Sequence, residues 1–474
     1  MSLAAIQNQL SSRSLPSRSL PSRSLPSRSL SRRSLLQAGL LPGLLAVRGA
    51  SAGAAGARAP GFGTARRCIL LFMWGGPSQL DTFDMKPAAP AEVRGEFQPV
   101  SSVVPGLDLC EHFRGLATKT DLITVIRSMS HDDPAHLSSA HTTLTGHLPP
   151  VNKSDAEPPG PNDSPHLAGV LSRFHAAPVG LPGSVTMPWK TLHPAAPGGT
   201  APGQTGGWLG TDADPLLVTG DPSRPDWSVP ALRLADGLSL HRLQDRRSLL
   251  RSISGQQEQL DSRFSRQLDV QQLQAFEMLG SGLVRQAFDL SQESVADRQR
   301  YGHHIHGQCV LLGRRLLERG VPFVSVNWHN DGRNFWDTHG DNFNRLKRDL
   351  IPPADMALTA LLTDLQDRGM LEDTLVVWTG EFGRRPQITA GNAGREHHPF
   401  CYSSLLAGAG IRRGAVYGSS DRIAGYPEQD AVSPGDLAAT VLHAMGVPAE
   451  AMLKDVSGRP HLLYAGSPVG GVFG

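Results

Sequence analysis

The sequence predicts an α/β protein in which helices cover both faces of a central sheet. Short apolar runs rich in β-branched and aromatic residues, such as residues 68–74, are typical of strands buried on both faces. Helical patterns lie between these runs, in the alternation expected for an α/β sheet. The runs are followed by loops that carry acidic residues and histidine, so we expect ligand-binding groups at one edge of the sheet.

Five strands and three helices can be placed along the chain. The strands are predicted at residues 68–74, 122–127, 321–328, 375–378 and 404–407. The helices are predicted at residues 310–319, 354–368 and 434–445. The last helix has Ser433 at its N-cap, Pro434 at its first position and Asp436 at its third, a combination that favours helix initiation.

Two inserts interrupt the alternating pattern. Residues 147–235 are rich in proline and glycine and show little periodicity, which predicts long ordered loops over the edge that carries the site. Residues 236–300 are charged and helical in pattern, and they predict a helical hairpin that leans on the core as a lid. We therefore expect a linker, then one large domain that contains both inserts, then a tail, at residues 53–66, 67–465 and 466–474.

The first 52 residues have the features of an export signal and do not belong to the fold. They contain seven arginines and no acidic residue, and a repeated S-R-S-L-P unit fills residues 12–26. Arg32 and Arg33 precede a short apolar run and the small residues 50–52, which is the pattern of a twin-arginine signal peptide. The apolar run is too short for a permanent membrane span. We expect export by the twin-arginine machinery to the periplasm or the extracellular space.

The net charge argues against one class of partner, and the cysteine spacing indicates the state of the thiols. The formal net charge is +2, but residues 53–474 hold 38 basic and 43 acidic residues, a net charge of −5. A mildly acidic body argues against nucleic acid as a partner. The four cysteines are scattered without C-x-x-C spacing, so buried free thiols are the favoured interpretation, with one disulfide as the alternative.

The loops after the first two strands contain the first candidate site residues. Asp81 follows the first strand and is either a metal ligand or the cap of an Asx turn or helix. The second strand leads into a loop with two histidines and two aspartates, which is more than a plain turn needs. His131 and His136 in that loop are candidates for a general base, a nucleophile or a metal ligand.

The loops after the third and fourth strands add further ionisable residues. Asp337 and His339 lie two positions apart, so both can reach one ion from an extended segment. Glu381 directly follows the fourth strand, and Arg384 and His397 come shortly after it. Four such loops at one sheet edge indicate a hydrolytic site that uses a divalent metal ion.

Several motifs resemble the bacterial DUF1501 family, which is abundant in planctomycetes and whose members carry twin-arginine signals. The resemblance covers nearly everything after the signal, and it includes LFMWGGPSQLDTFDMKP, WDTHGDNF, TLVVWTGEFGRRP and GREHHP. That family is similar to the alkaline phosphatase and sulfatase superfamily. The resemblance therefore implies an alkaline-phosphatase-like fold, with a mixed, mainly parallel sheet sandwiched between helices and metal ligands at strand ends.

The chain departs from the sulfatase pattern at the positions that matter for chemistry. The first strand ends in Gly75 and Gly76, where sulfatases have paired aspartates. His136 stands ten residues before Gly146, where sulfatases have the cysteine or serine that becomes formylglycine. Phe382 replaces the histidine of an Asp-His-Gly motif. A formylglycine nucleophile is therefore not supported.

Nearby positions keep part of the family pattern. Glu381 preserves a carboxylate where the Asp-His-Gly motif begins, and His397 matches a histidine of the relatives. Glu396 stands where those relatives usually have aspartate, and His398 where they usually have tryptophan. The resemblance thus implies a rebuilt metal site and leaves its mechanism open.

The main functional hypothesis is an exported, metal-dependent hydrolase of a phosphate or sulfate ester, with a glycan ester among the candidates. A divalent ion, Zn, Ca or Mg, would be held by five candidate ligands: Asp81, Asp337, His339, Glu381 and His397. His136 or His131 would act as acid or base, and Arg384 would clamp the anion. The alternative is a catalytically degenerate binding protein for an anionic glycan or a partner protein in the cell envelope. A purely structural role is disfavoured, because so many polar residues gather at one edge.

Overall fold

The structure, a computed structural model, describes residues 59–193, 199–229, 232, 242, 245, 248, 277–329 and 335–474. The predicted leader and signal at residues 1–52 lie outside the described residues, as do the linker residues 53–58. Most of the predicted helical insert also lies outside them, since only residues 242, 245, 248 and 277–300 of it are described.

The described strands form one large sheet and four two-stranded ribbons. In chain order they are β1 (Arg67–Phe72), β2 (Pro99–Val100), β3 (Leu109–Cys110), β4 (Ile123–Met129), β5 (Val185–Met187), β6 (Leu216–Leu217), β7 (Phe323–Asn327), β8 (Thr374–Thr379), β9 (Gly383–Arg384), β10 (His397–His398), β11 (Tyr402–Ala407), β12 (Ala415–Tyr417), β13 (Ser419–Ser420), β14 (Pro427–Gln429), β15 (Met452–Lys454) and β16 (Pro460–Leu462).

The large sheet is mixed and mainly parallel, with strand order β12-β4-β11-β8-β1-β7-β5-β6. Strand β1 is central and pairs in parallel with β7 and β8, so that Leu70 lies opposite both Ser325 and Val377. Only β11 among these eight strands runs antiparallel to its neighbours, β4 and β8. The carboxyl ends of β1, β4, β7 and β8 therefore meet at one edge, which confirms the predicted fold class.

Helices lie between the strands. In chain order they are α1 (Ala91–Arg94), α2 (His136–Thr145), α3 (Leu167–Leu171), α4 (Gly282–Phe288), α5 (Val295–Tyr301), α6 (Ile305–Glu318), α7 (Asn342–Arg345), α8 (Ile351–Asp367) and α9 (Pro434–Ala444). Helix α9 begins with a capping box between Ser433 and Asp436, as predicted. Among the described residues, no helix combines the length and apolar character that crossing a membrane requires.

Several segments differ from their predicted roles. The proline- and glycine-rich insert supplies two edge strands, β5 and β6, in addition to loops. The expected tail packs on the body, since Val472 and Phe473 are buried.

All four cysteines are free and buried, as expected. The side chains of strands β1 and β8 are almost all buried. Burial of each large apolar side chain contributes about 1.5–3 kcal/mol to the stability of the fold. This core holds the loops at the sheet edge in place.

Candidate metal centre

Three loops from the predicted edge bring ligand-type atoms together. His136 is the first residue of α2, after β4, and Asp337 lies in the loop after β7. His397 belongs to β10, whose pairing with β9 places it opposite Arg384. One ligand atom from each of His136, Asp337 and His397 lies within 4.8 Å of the others. The geometry is that of a candidate metal site.

Hydrogen bonds orient the histidine rings around Asp337. The Nδ1 atom of His136 lies 2.7 Å from Glu381 Oε1, and that of His397 lies 2.8 Å from the carbonyl oxygen of Pro134. The Nδ1 atom of His339 lies 2.5 Å from Glu396 Oε2. Because these oxygens only accept, Nδ1 is the donor in each neutral ring and Nε2 keeps its lone pair. Metal-binding histidines are oriented in this way.

The three Nε2 atoms converge on the carboxylate of Asp337. Those of His339 and His397 lie 3.0 Å and 3.2 Å from Asp337 Oδ1, and that of His136 lies 3.4 Å from Oδ2. The Nε2 atoms of His339 and His397 are only 2.9 Å apart, so their two lone pairs face each other. Within the described part of the chain, the buried Nε2 of His136 has no hydrogen-bond partner. A cation would remove the repulsion between the facing lone pairs of His339 and His397, and it would give the Nε2 of His136 a partner. The donor set therefore fits a metal ion.

The side chains of the site differ in their exposure to solvent, and acidic side chains outnumber the basic one that contacts Asp337. The side chains of His136 and Glu381 are 2% and 0% exposed, whereas that of His339 is 43% exposed, so solvent reaches the site from the His339 side. With neutral rings, Asp337, Glu381 and Glu396 carry three negative charges, and Arg384 is the one cation in contact with the Asp337 carboxylate among the described residues. Arg345 and Arg385 act on Asp337 and Glu396 from further away.

The pKa values follow from these contacts. Burial by itself lowers the pKa of His136, but the carboxylates of Asp337 and Glu381 beside its two ring nitrogens raise it to about 9. Burial raises the pKa of Asp337, and the Arg384 charge together with the histidine hydrogen bonds overcomes this and holds it well below its usual range. Without a metal, a proton on His136 therefore supplies part of the missing positive charge.

Glu381 supports the site from behind His136. Its Oε1 also accepts a hydrogen bond of 2.9 Å from the backbone N–H of Gly75. Gly75 has a positive φ of 111°, and a Cβ there would lie 2.3 Å from the backbone nitrogen of Asp337. Only glycine therefore lets the end of β1 approach the Asp337 loop so closely, which explains the Gly75-Gly76 pair at this strand end.

The ring of His131 forms hydrogen bonds with backbone groups and does not face the site. Its Nε2 donates to the carbonyl oxygen of Glu381 at 2.7 Å, and its Nδ1 accepts from the N–H of Asp133 at 3.2 Å. Both ring nitrogens are therefore occupied. The prediction that His131 acts as an acid or base is wrong, and its role is to hold the Glu381 turn.

Arg384 is likewise committed to the protein. Its guanidinium is fully buried and lies 2.5 Å from Asp337 Oδ1. It also donates to the carbonyl oxygens of Gly75, Gly76 and Arg395. The prediction that Arg384 clamps a substrate anion is wrong, because its donors are used to fix Asp337 and the β1 loop.

Asp81 lies in a separate buried ion pair. Arg395 Nε donates to Asp81 Oδ2 at 2.8 Å, and Arg395 Nη2 donates to Oδ1 at 3.1 Å. Ser78 and Asn342 donate to Oδ2 as well. Both carboxylate oxygens are therefore used, and the prediction that Asp81 ligates the metal is wrong.

The structure thus brings together Asp337, His339 and His397 from the predicted ligand set, and it adds His136. Glu381 contacts His136 and Gly75 through Oε1, and within the described part of the chain its buried Oε2 has no hydrogen-bond partner. Glu396 was placed at this edge with His397 but was given no role in the predicted site. His193, whose ring centroid lies 5.5 Å from that of His136, comes from the loop-rich insert, where no motif pointed to it.

The fold and site describe an α/β protein with a candidate metal centre at the carboxyl edge of its sheet. The chain belongs to the DUF1501 family, described as proteins of unknown function, and the family model matches residues 65–472. This confirms the family suggested by the motifs. A search of curated proteins found no match.

Three similar solved structures cover most of the chain. They are Ps i-CgsB in complex with k-i-k-neocarrahexaose (11% identity, TM-score 0.40, 83% of this chain and 73% of that one), a protein in the alkaline phosphatase superfamily from Vibrio parahaemolyticus (11%, 0.37, 84% and 75%) and the lipoteichoic acid synthase LtaP from Listeria monocytogenes (9%, 0.36, 82% and 74%). At such low identities, the chemistry of this site has to come from its own geometry.

Proposed function

We propose that this protein binds one zinc ion through His136, Asp337 and His397, with His339 as a fourth and exchangeable ligand, and hydrolyses a phosphate or sulfate ester. The observation that carries the proposal is the convergence of three Nε2 atoms on the Asp337 carboxylate, each with its Nδ1 held by an acceptor oxygen. Three imidazoles and one carboxylate suit zinc. Calcium and magnesium prefer sets of oxygen ligands, so they fit less well.

The residues of the chain have distinct tasks in this proposal. Glu381 fixes the tautomer and direction of His136, and Arg384 fixes Asp337. The exposed His339, oriented by Glu396, lies where an ester oxygen would enter from solvent. Zinc bound at such a site lowers the pKa of a coordinated water and polarises the ester oxygen.

The experiment compares the wild type with His397→Ala, and uses His303→Ala, a change at an exposed histidine, as the matched control. Metal analysis of the purified protein should show about one zinc per chain in wild type and control and a strong loss in His397→Ala. Turnover of p-nitrophenyl phosphate or p-nitrophenyl sulfate should disappear together with the metal.

Two outcomes would contradict the proposal. If the wild type takes up no divalent ion at micromolar concentration, the metal site is wrong. If zinc binds but neither ester is hydrolysed, then hydrolysis of such esters is wrong and the binding-protein alternative replaces it.

A further inference from the structure

His339 is the most exposed of the four candidate ligands. Its side chain is 43% exposed, against 2% for His136, 17% for Asp337 and 20% for His397. The Nδ1 atoms of His136 and His397 are held by a fully buried carboxylate and by a backbone carbonyl group. That of His339 is held by Glu396, whose side chain is itself 40% exposed. A bond between the protein and a metal ion is therefore most easily broken at His339.

The segment of residues 389–396, called the 389–396 loop below, holds the ring of His339 through Glu396. The hydroxyl group of Thr389, the first residue of the loop, donates to Glu396 Oε1 at 3.1 Å. The other oxygen of this carboxylate, Oε2, lies beside His339 Nδ1. Because both carboxylate oxygens are engaged, Thr389 fixes the direction from which Glu396 meets the ring. An outer hydrogen bond of this kind orients a histidine ligand and raises its basicity.

The 389–396 loop also holds the backbone of His339. Asn392 Nδ2 donates to the carbonyl oxygen of His339 at 2.9 Å, and Asn392 Oδ1 accepts from the N–H of Gly394 at 3.0 Å. A Cβ at Gly394 would lie 1.8 Å from the same carbonyl oxygen, so only glycine lets the two segments approach so closely. Arg395 anchors the loop through its buried ion pair with Asp81. The loop therefore contacts His339 on its backbone as well as on its ring.

We propose that the 389–396 loop sets how readily His339 gives up its place on the metal ion to the substrate. This role depends on the proposed function, in which an ester oxygen enters from the solvent side that His339 occupies. Only the fraction of molecules in which the ring has moved away can take up that oxygen, and the apparent affinity scales with this fraction. Thr389 and Asn392 are therefore positioning residues, which act through His339 and do not touch the substrate. Loss of either hydrogen bond should make a tetrahedral oxyanion bind more tightly.

The test measures, by titration calorimetry, the affinity of inorganic phosphate for protein loaded with one equivalent of zinc. Thr389→Val keeps the shape of the side chain and removes the hydroxyl group, so it should raise phosphate affinity about threefold or more. Asn392→Ala should change the affinity in the same direction, and Thr389→Ser, which retains the hydroxyl group, should match the wild type. The matched control is Thr363→Val in helix α8, at a half-buried threonine whose hydroxyl group also donates a hydrogen bond. The control should bind phosphate like the wild type.

A double variant decides whether Thr389 acts through the ring of His339. His339→Ala alone should raise phosphate affinity at least as much as Thr389→Val does, and adding Thr389→Val to it should have no further effect. Thermal melting checks the fold of each variant, and Asn392→Ala keeps the test decisive if Thr389→Val fails to fold. The proposal is overturned if the loop variants bind phosphate more weakly than the wild type or equally well. An equal effect of Thr389→Val with and without His339, or phosphate binding by none of the zinc-loaded proteins, overturns it as well.

Zinc content, ester turnover and phosphate affinity together distinguish this proposal from the proposed function. A wild type without zinc would overturn both. A zinc-loaded protein that hydrolyses neither ester but shows the expected phosphate affinities would refute the hydrolysis and support the role of the loop. Zinc binding and turnover as proposed, with unchanged phosphate affinity in Thr389→Val, would overturn the role of the loop alone.

Discussion

The substitution Glu381→Gln tests the support that the second carboxylate gives to the metal centre. Glutamine keeps the size of the side chain and can still accept the hydrogen bond from His136 Nδ1, now 2.7 Å long. It removes one negative charge from the site. We expect the protein to fold and to bind zinc more weakly.

The size of the effect follows from two terms that act in the same direction. A bond from Nδ1–H to a buried carboxylate is about 1 kcal/mol stronger than one to a neutral amide. Glu381 attracts a doubly charged ion more than it attracts the proton on His136 that the ion must displace, so loss of the charge also favours release of the ion. We therefore expect zinc affinity to fall about 10- to 100-fold, or about 1.4–2.8 kcal/mol.

Competition with a chromophoric chelator near neutral pH measures this affinity directly. Glu372→Gln is the matched control, because it removes a carboxylate whose side chain is 76% exposed and paired with Arg413 at the surface. The control should bind zinc like the wild type. If Glu381→Gln also stays within about twofold of the wild type, Glu381 does not orient a ligand and the assignment of His136 is wrong.

Two further predictions concern pH and stability. The raised pKa of His136, about 9, means that zinc must displace its proton at neutral pH, so affinity should rise about tenfold per pH unit up to about pH 9. Calorimetry in buffers of different ionisation heat counts this proton, and a pH-independent affinity would refute the expectation. Asp81→Asn should lower the free energy of unfolding in urea by about 3–5 kcal/mol, because it leaves the buried Arg395 unpaired, and should leave zinc affinity unchanged. Loss of zinc at unchanged stability would instead make Asp81 a ligand.

The strands of the sheet were predictable because they are buried on both faces. The apolar runs of β1 and β8 are too short for buried helices and too uniformly apolar for loops, and their observed bounds lie within a few residues of the predicted ones. The antiparallel direction of β11 was not predictable, since its composition is the same in either direction. Strands β5 and β6 were missed because they hold three and two residues within a loop-rich segment.

The site was predictable as a set of loops but not as a set of roles. Polar residues after buried strands pointed to Asp337, His339 and His397. A carboxylate that is neutralised by an arginine cannot serve as the predicted ligand. Such ion pairs join residues far apart in the chain, as between Asp81 and Arg395, and the sequence spacing of motifs does not reveal them. The proposed ligand role of His136 likewise depends on Glu381, which accepts from its Nδ1 and leaves Nε2 open for an ion.

The three candidate ligands come from the loops after β4 and β7 and from the β10 ribbon, which are distant in the sequence and meet only when the sheet is assembled. An unfolded chain offers no such set, so zinc would bind the native state almost exclusively. At a zinc concentration 100 times the Kd, this preference adds about 2.7 kcal/mol to the free energy of unfolding. Retention of the metal would therefore report that the whole sheet, and not one motif, has formed correctly.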